Sequence, residues 1–518
     1  MTAHCYLIGI GGSGSRVLEA ALHMTAAGLG PRKMWIGHMD PDRGNGNIGR
    51  LKRLSGQYAD LQASLRKAAD QALAPKAHFL RTEVTAAEPD LVWSPVPDGR
   101  RDLRALFGAR GMMRPAAEHL FESLFHPREE QTLDLEVGFR GRPAIGAAVI
   151  AATANGESPF WTDLLRVKRD LGSGVPVRIF LTGSIFGGTG AAGLPTVARV
   201  LRSRLAEAGM TDFRIGAGVL LPYFGYTDPD DDEQVVAARS AAFLSQSQGA
   251  LRYYHQTLAG SGKPIFDSMT VLGWPRPIQL EGFDIGGQGQ SNPPMAPELL
   301  AALACLDFFS DPEPEPRAGV RLLAADETKP LGWSDLPSVP GTTGEPERSV
   351  KDLLGGLVRF AAAYHRLYYP ALRRGRSRDM DRQSWLRAYF GGVDLDGDAM
   401  QKPLARLDDY CADLLRWAGS IQRLSGNDPG LALFNLGELV DDRTEADGML
   451  ALRRGLGAPA SFDDLIVGAD AASDLADILD ALSRGRGRGG HGLGRFVQAL
   501  HGCCLPRALQ SSPEGVMA

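Results

Sequence analysis

Two glycine-rich loops, each wedged between a short apolar run and a helix-like segment, constrain this chain more than any other feature. The first follows Cys5–Ile10 and reads Gly9-Ile10-Gly11-Gly12-Ser13-Gly14-Ser15-Arg16, with Val17–Ala27 continuing as a helix. The second follows the strand-like Arg178–Thr182 and reads Phe186-Gly187-Gly188-Thr189-Gly190-Ala191-Ala192-Gly193, with Leu194–Glu207 as its helix. A helix start has free N–H groups and a partial positive charge, and glycine lets the backbone come close to a phosphate. Both loops therefore predict anion binding. Read alone, the first fits the GxGxxG spacing of a dinucleotide fingerprint through Gly9, Gly11 and Gly14, and it equally fits a plain tight turn. The second is not a P-loop, because no Gly-Lys-Ser/Thr follows it.

The rest of the chain supports parallel α/β winding. Met34–Met39 reads as a second strand, giving strand, loop, helix, strand from the N-terminus. Residues 55–75 read as a helix with Leu61, Leu65, Ala69 and Leu73 on one stripe, and residues 115–125 as another. Ala147–Ala152, Ile215–Leu221, Asp267–Leu272 and Gly319–Ala324 read as strands. Ala237–Leu258 is a long helix, and Pro297–Phe309, apolar nearly all round, is a buried one. Residues 325–347, rich in Pro, Gly and Thr, read as a linker. Beyond 348 the pattern is helical, with Leu353, Leu357, Phe360, Ala361 and Tyr364 on one face.

Composition excludes several classes. The net charge of -5 provides no basic field for nucleic acid. Five cysteines, odd in number and without a CxxC pair, argue against a zinc site or disulfide framework, so reduced thiols in a cytoplasm are expected. No apolar run of about 18 residues predicts a membrane span, and the N-terminus lacks the pattern of a signal peptide.

The second loop and its flanks, T-G-S-I-F-G-G-T-G-A-A-G-L-P-T-V-A over residues 182–198, resemble the phosphate signature of the tubulin/FtsZ superfamily. Thr182, the GGTG core, Pro195 and Val197-Ala198 stand at that family's spacing, while Phe186 replaces the first glycine of its usual triple. The order of segments is similar too. Asp40-Pro41-Asp42 corresponds to the acidic loop, Gly108-Ala109-Arg110-Gly111 to the loop around the γ-phosphate, and Leu221-Pro222-Tyr223-Phe224 to the sugar loop. The resemblance covers residues 4–260 and, loosely, 265–325. It implies a GTP/GDP site formed by Gly11, Gly12, Ser13, Arg16, Asp40, Asp42, Gly108, Ala109, Arg110, Gly111, Gly187, Gly188, Thr189 and Gly190. Ser247 and Gln248 would face the base. Asp42 would reach a Mg²⁺ ion, though an Asx turn is an equal reading of that loop. In Ser291–Glu298, Asn292 and Glu298 would position water on the nucleotide of a neighbouring subunit. Glu298 at a helix start also favours the helix dipole with no catalytic part.

The expected architecture is α/β: a tubulin/FtsZ-like, Rossmann-type GTPase domain over 1–236, a long central helix over 237–260, a smaller α+β domain with linker over 261–347, and a helical C-terminal extension over 348–518. The expected function is a GTP-binding, self-assembling protein with nucleotide at the subunit interface and assembly-dependent hydrolysis. The extension is a candidate surface for a protein partner. The alternatives are an NAD-dependent oxidoreductase using the first loop, and a non-hydrolysing nucleotide-binding scaffold acting through its C-terminal helices.

Overall fold

The computed structural model describes residues 3–66, 77–108, 115–154, 158–210, 212–227, 233–259, 264–281, 287, 290–310, 319–340, 347–374, 383–425, 430–455, 457–469, 473–484 and 491–510. The order of elements from the N-terminus is β1 (His4–Ile10), α1 (Gly11–Ala26), β2 (Lys33–Met39), α2 (Gly46–Leu65), β3 (Glu83–Ala86), β4 (Val92–Trp93), α3 (Leu103–Gly108) and α4 (Pro115–Leu124). Three helices follow, α5 (Pro143–Thr153), α6 (Pro159–Leu164) and α7 (Val167–Gly172), then β5 (Val177–Ser184), α8 (Gly188–Glu207), β6 (Phe213–Leu220) and β7 (Phe224–Thr227). Next come α9 (Glu233–Ala259), β8 (Ser268–Gly273), β9 (Ile278–Glu281), α10 (Ala296–Ser310) and β10 (Val320–Ala324).

An 8-stranded sheet, ordered β10-β8-β6-β5-β1-β2-β3 with β4 also on β2, forms the centre. Its pairings are parallel, which explains the near-continuous apolar runs of the inner strands: both faces are covered. Along β1, Leu7 packs in one apolar cluster with α1 and α10, whereas Tyr6, Ile8 and Ile10 pack in the other with α5 and α8. From β1 the winding runs outward to β2 and β3, then returns to place β5 on the opposite side of β1. The strand order therefore reverses between β1 and β5, at the position where open α/β sheets leave a crevice beyond the strand ends.

Three expectations change. Ala147–Ala152 lies inside helix α5 rather than in a strand. A short apolar run looks alike in both states; here Pro143 sets the first turn, and Gly146 lets the helix approach α8 so closely that an added Cβ would stand 2.7 Å from Ala192 Cβ. The long helix α9 joins β6 to β8, neighbours in one sheet, so it is a crossover rather than a connector leaving the sheet. The boundary expected at 261 consequently falls inside the sheet, because β8, α10 and β10 extend it.

The described end of the segment read as a linker is anchored to the sheet domain. Val339 and Arg348 form an antiparallel bridge, and the buried Arg348 guanidinium donates to the carbonyls of Gly28, Gly30 and Pro340. Beyond it, Val350–Ala363 buries its expected stripe, Leu353, Leu357, Phe360 and Ala361, and Tyr364 follows in a π-turn. This helix packs on Asp398–Leu424 and Leu493–Cys504 to form a further layer over α1 and α2. His23 of α1 lies 4.7 Å, ring to ring, from Trp417, and Phe79 lies 5.3 Å from Phe360. The apolar cluster runs without a break from α1 into these helices. The described residues beyond 348 thus share a core with the sheet domain. Among the described residues no helix is long and apolar enough to cross a membrane.

Candidate functional site

At the β1/β5 reversal two helices begin side by side. Gly11 opens α1 and Gly188 opens α8, with Ile10 and Gly187 at the N-cap positions. Neither cap supplies a side-chain hydrogen bond, and neither first turn carries an acid. Two sets of orphan N–H groups and two positive helix ends therefore meet at one crevice, an arrangement that favours an anion. The loops touch: a Cβ on Gly11, whose φ is +72°, would stand 3.4 Å from Thr189 Cβ and 3.6 Å from Gly190 N. Gly190 has no room at all, since its Cβ would meet the Ser184 carbonyl oxygen at 2.1 Å. Gly188 is crowded by the Gly141 amide and Phe139 Cβ, both at 3.0 Å. Gly12, by contrast, would meet nothing closer than Asn47 Nδ2 at 3.6 Å. A Cβ there would be in ordinary contact with the Asn47 and Asn45 amide nitrogens and Arg16 Nη1.

The acidic loop follows β2. Asp42 Oδ1 accepts from Gly44 N at 3.0 Å and Oδ2 from Gly287 N at 2.6 Å, while Asp40 Oδ1 accepts from Asp42 N at 3.1 Å. This is the Asx-type geometry that was one reading of the sequence. Burial pushes the Asp42 carboxyl above its ordinary value; the Gly287 bond opposes that and Asp40 adds to it. Among the described residues no group of three or more His, Cys, Asp and Glu gathers as a metal cage. A divalent cation here would rest on Asp42, on water and on the oxygens of the anion itself. Asn45 caps α2 by accepting from Asn47 N at 2.9 Å. The Asn47 amide nitrogen donates to Asn45 Oδ1 and to the Gln290 carbonyl, both acceptors, which fixes its orientation; its buried Oδ1 meets no donor among the described residues. Sequence reasoning passed over both asparagines, although Asn-Gly-Asn before an apolar-periodic run is a helix-start signal.

Beneath the first loop lies a fully buried ionic network. Arg16 Nε donates to Glu298 Oε1 at 2.5 Å, and Arg16 Nη2 to Tyr223 Oη at 2.8 Å. Tyr223 Oη lies 2.5 Å from Glu298 Oε1 and 3.1 Å from Ser13 Oγ. Glu298 Oε2 accepts from Met295 N at 2.7 Å, closing the first turn of α10. Burial works against the Arg16 charge, but the Glu298 carboxylate and Tyr223 oxygen outweigh it and raise its pKa. Arg16 and Glu298 are each 1% exposed. Glu298 therefore sits buried against its own chain's first glycine helix, where the sequence reading has it reaching toward a neighbouring subunit. Arg16 commits Nε and Nη2 to this network. Its charge supports the loop from below, with the guanidinium 5.6 Å from the Phe224 ring centre.

Asn292 is likewise held at home. Its side chain donates to Tyr226 Oη at 3.0 Å, and its carbonyl accepts from Arg50, which also pairs with Glu19 at 2.8 Å and donates to the Asp447 carbonyl. Gly448, at a hairpin tip, packs so closely on Ser291 that a Cβ would meet its carbonyl oxygen at 2.1 Å. Ser247 Oγ turns back to the Phe243 carbonyl at 2.8 Å, and Gln248 is exposed on the same helix. Phe243 touches Phe186, ring centres 5.3 Å apart, linking α9 to the second loop. Gly108 ends α3 and is exposed; Ala109, Arg110 and Gly111 lie outside the described residues.

No protein-family model matches the chain, and no curated protein matches it. Among solved structures it is similar to CetZ from Methanosaeta thermophila strain DSM 6194, at 12% identity and a TM-score of 0.22. The match covers 52% of this chain and 46% of that one, so it spans under half the length of that protein. The functional reading rests on the crevice itself.

Proposed function

We propose that the crevice between α1 and α8 binds the phosphates of GTP or GDP, and that the chain is a tubulin/FtsZ-type nucleotide-binding protein that self-associates. The observation that carries the reading is the pair of uncapped helix starts at the strand-order reversal. In it the backbones of Gly11, Gly12, Ser13, Gly187, Gly188, Thr189 and Gly190 cradle the phosphates. Asp42, with Asp40 beside it, would hold the accompanying Mg²⁺. Ser247 and Gln248 would face the base, and the family resemblance assigns Gly108–Gly111 to the terminal phosphate. The family resemblance of residues 182–198 supports GTP and self-assembly over other nucleotides and a monomer.

Interfacial hydrolysis by Asn292 and Glu298 is left out of this reading, because both side chains are bonded within their own chain. That burial favours one second reading, a nucleotide-binding scaffold that does not hydrolyse. Nucleotide identification after denaturation, with electron microscopy and phosphate release across a protein concentration series, separates the two. Filaments with GTP and a rate per chain that rises with concentration support the polymerising GTPase. Bound GTP without phosphate release supports the scaffold, and bound NAD overturns both.

A further inference from the structure

One stretch of chain runs from the wall of the crevice to the C-terminal layer. The Gly287 amide donates to Asp42 Oδ2 at 2.6 Å on the acidic loop. Gln290 Oε1 accepts from Asn45 Nδ2 at 2.5 Å, and the Gln290 carbonyl from Asn47 Nδ2 at 3.1 Å. Those two amide nitrogens are the nearest atoms to a Cβ on Gly12. The next residues, Ser291 and Asn292, are gripped by the tip of a hairpin whose strands are Val440–Thr444 and Leu450–Leu452. Gly448, at φ +80°, packs on the Ser291 carbonyl with no room for a side chain. Arg50 Nη1 donates to the Asn292 carbonyl at 3.1 Å and to the Asp447 carbonyl at 2.6 Å. The Asp447 carboxylate is held in turn by Arg416 of Asp398–Leu424, at 2.6 and 2.9 Å, and by Arg53 of α2 at 2.9 Å. Burial opposes that charge, but Arg416 outweighs it and lowers the Asp447 pKa.

The closed seam is opposed as well as held. Asn47 Oδ1, Ser291 Oγ and Arg50 Nη2 are buried and find no partner among the described residues. Each forfeits hydration that an open seam would return. Ion pairs on one side and unpaired polar atoms on the other work against each other across one contact, the balance a two-state element needs. We propose that the tip Glu445–Met449 is a strap whose closure on Ser291 and Asn292 sets the crevice wall at Asp42, Asn45 and Asn47, so that phosphate binding and strap closure favour each other. Asp447 and Gly448 are its positioning residues. The proposal rests on the crevice being a phosphate site and adds a regulation to it. Whatever lifts the tip from the C-terminal side lowers affinity, and by linkage a bound phosphate holds the tip shut.

The test uses the full chain with inorganic tripolyphosphate and Mg²⁺. In the closed tip the Gly448 amide bonds to the Glu445 carbonyl and the Met449 amide to Asp447 Oδ1. Saturating ligand is expected to slow hydrogen exchange at these amides about fivefold or more, the scale of coupling between two sites. By titration calorimetry, Asp447→Ala is expected to weaken binding about fivefold or more. Loss of a carboxylate would by charge alone tighten an anion, so the sign of the change separates the strap from simple electrostatics. Gly448→Ala, whose methyl meets the Ser291 carbonyl, is expected to weaken binding likewise and decides the matter should Asp447→Ala fail to fold. Trp385→Ala loosens the packing on Tyr368 and Phe496 in the same layer and is expected to keep wild-type affinity. Unchanged exchange at saturation, full affinity in a folded tip variant, or an equal loss in Trp385→Ala overturns the strap and leaves the phosphate site standing. A wild-type chain that binds no tripolyphosphate overturns the phosphate reading and the strap with it.

Discussion

Truncating Trp417 tests whether the described residues beyond 348 share a core with the sheet domain. The indole is fully buried and faces His23 of α1 at 4.7 Å between ring centres. Removing a buried Trp side chain costs about 3–5 kcal/mol when the surroundings do not collapse into the space. The indole N–H finds no partner among the described residues, so its loss returns part of a desolvation penalty, about 1 kcal/mol. Trp417→Ala is therefore expected to destabilise by about 2–4 kcal/mol. Because the lost contact bridges α1 and the C-terminal layer, the loss falls on the whole molecule. Urea unfolding followed by circular dichroism and by pulse proteolysis with fragment mapping is the assay. One transition, shifted to lower urea, with cleavage appearing together on both sides of residue 348, is expected. An early transition confined to fragments beyond 348, with the N-terminal part still folded and binding nucleotide as before, would refute the shared core.

Three further outcomes are expected. Burial holds the His23 and His501 imidazoles down at about 3, with Arg50 adding for His23, and His78 and Arg66 for His501. The unfolded chain therefore takes up protons that the folded one refuses: stability is full above about pH 6.5 and declines as pH falls toward 3, by about 2 kcal/mol per histidine at pH 5. Urea midpoints from pH 7 to pH 4 check this, and His23→Phe should remove one histidine's share of the slope. Gly190→Ala should destabilise by about 1–3 kcal/mol or more, since its methyl meets the Ser184 backbone, and a thermal melt equal to wild type would contradict that contact. Asp42→Asn should leave GTP affinity in EDTA nearly unchanged and erase most of the gain from Mg²⁺, measured by calorimetry with and without the ion.

The inner strands and both glycine helices were legible because a doubly covered parallel sheet writes itself as short apolar runs, and glycine marks where each helix must start close to the next strand. The fault at Ala147–Ala152 has a physical source: an Ala-rich run carries no period, and Pro143 at the first turn with packing on Ala192 through Gly146 decides for helix. Helix α9 was legible as a helix but not as a crossover, because sequence alone does not say on which strand β8 lands. The reach of the C-terminal layer was hidden for a related reason. Arg348 and Trp417 look ordinary until the carbonyls of Gly28 and Gly30 and the ring of His23 lie beside them. At the site, the loops declared themselves. The Arg16–Glu298 pair did not, since its members are 282 positions apart, although an arginine followed by the apolar Val17-Leu18 asks for a buried partner.

The central claim is that two uncapped helix starts hold a nucleotide's phosphates, and Gly12→Asp addresses it most directly. A Cβ at Gly12 meets only side-chain atoms, at 3.6 Å and beyond, so the variant should fold, and its carboxylate would lie at the positive α1 helix end. Calorimetric titration of GTP into wild type and Gly12→Asp, with matched melting curves, is the measurement. Saturable binding to wild type and a loss of about a hundredfold or more in the variant is the predicted result. Equal GTP affinity in a folded Gly12→Asp protein, or NAD bound more tightly than GTP by wild type, would contradict the account.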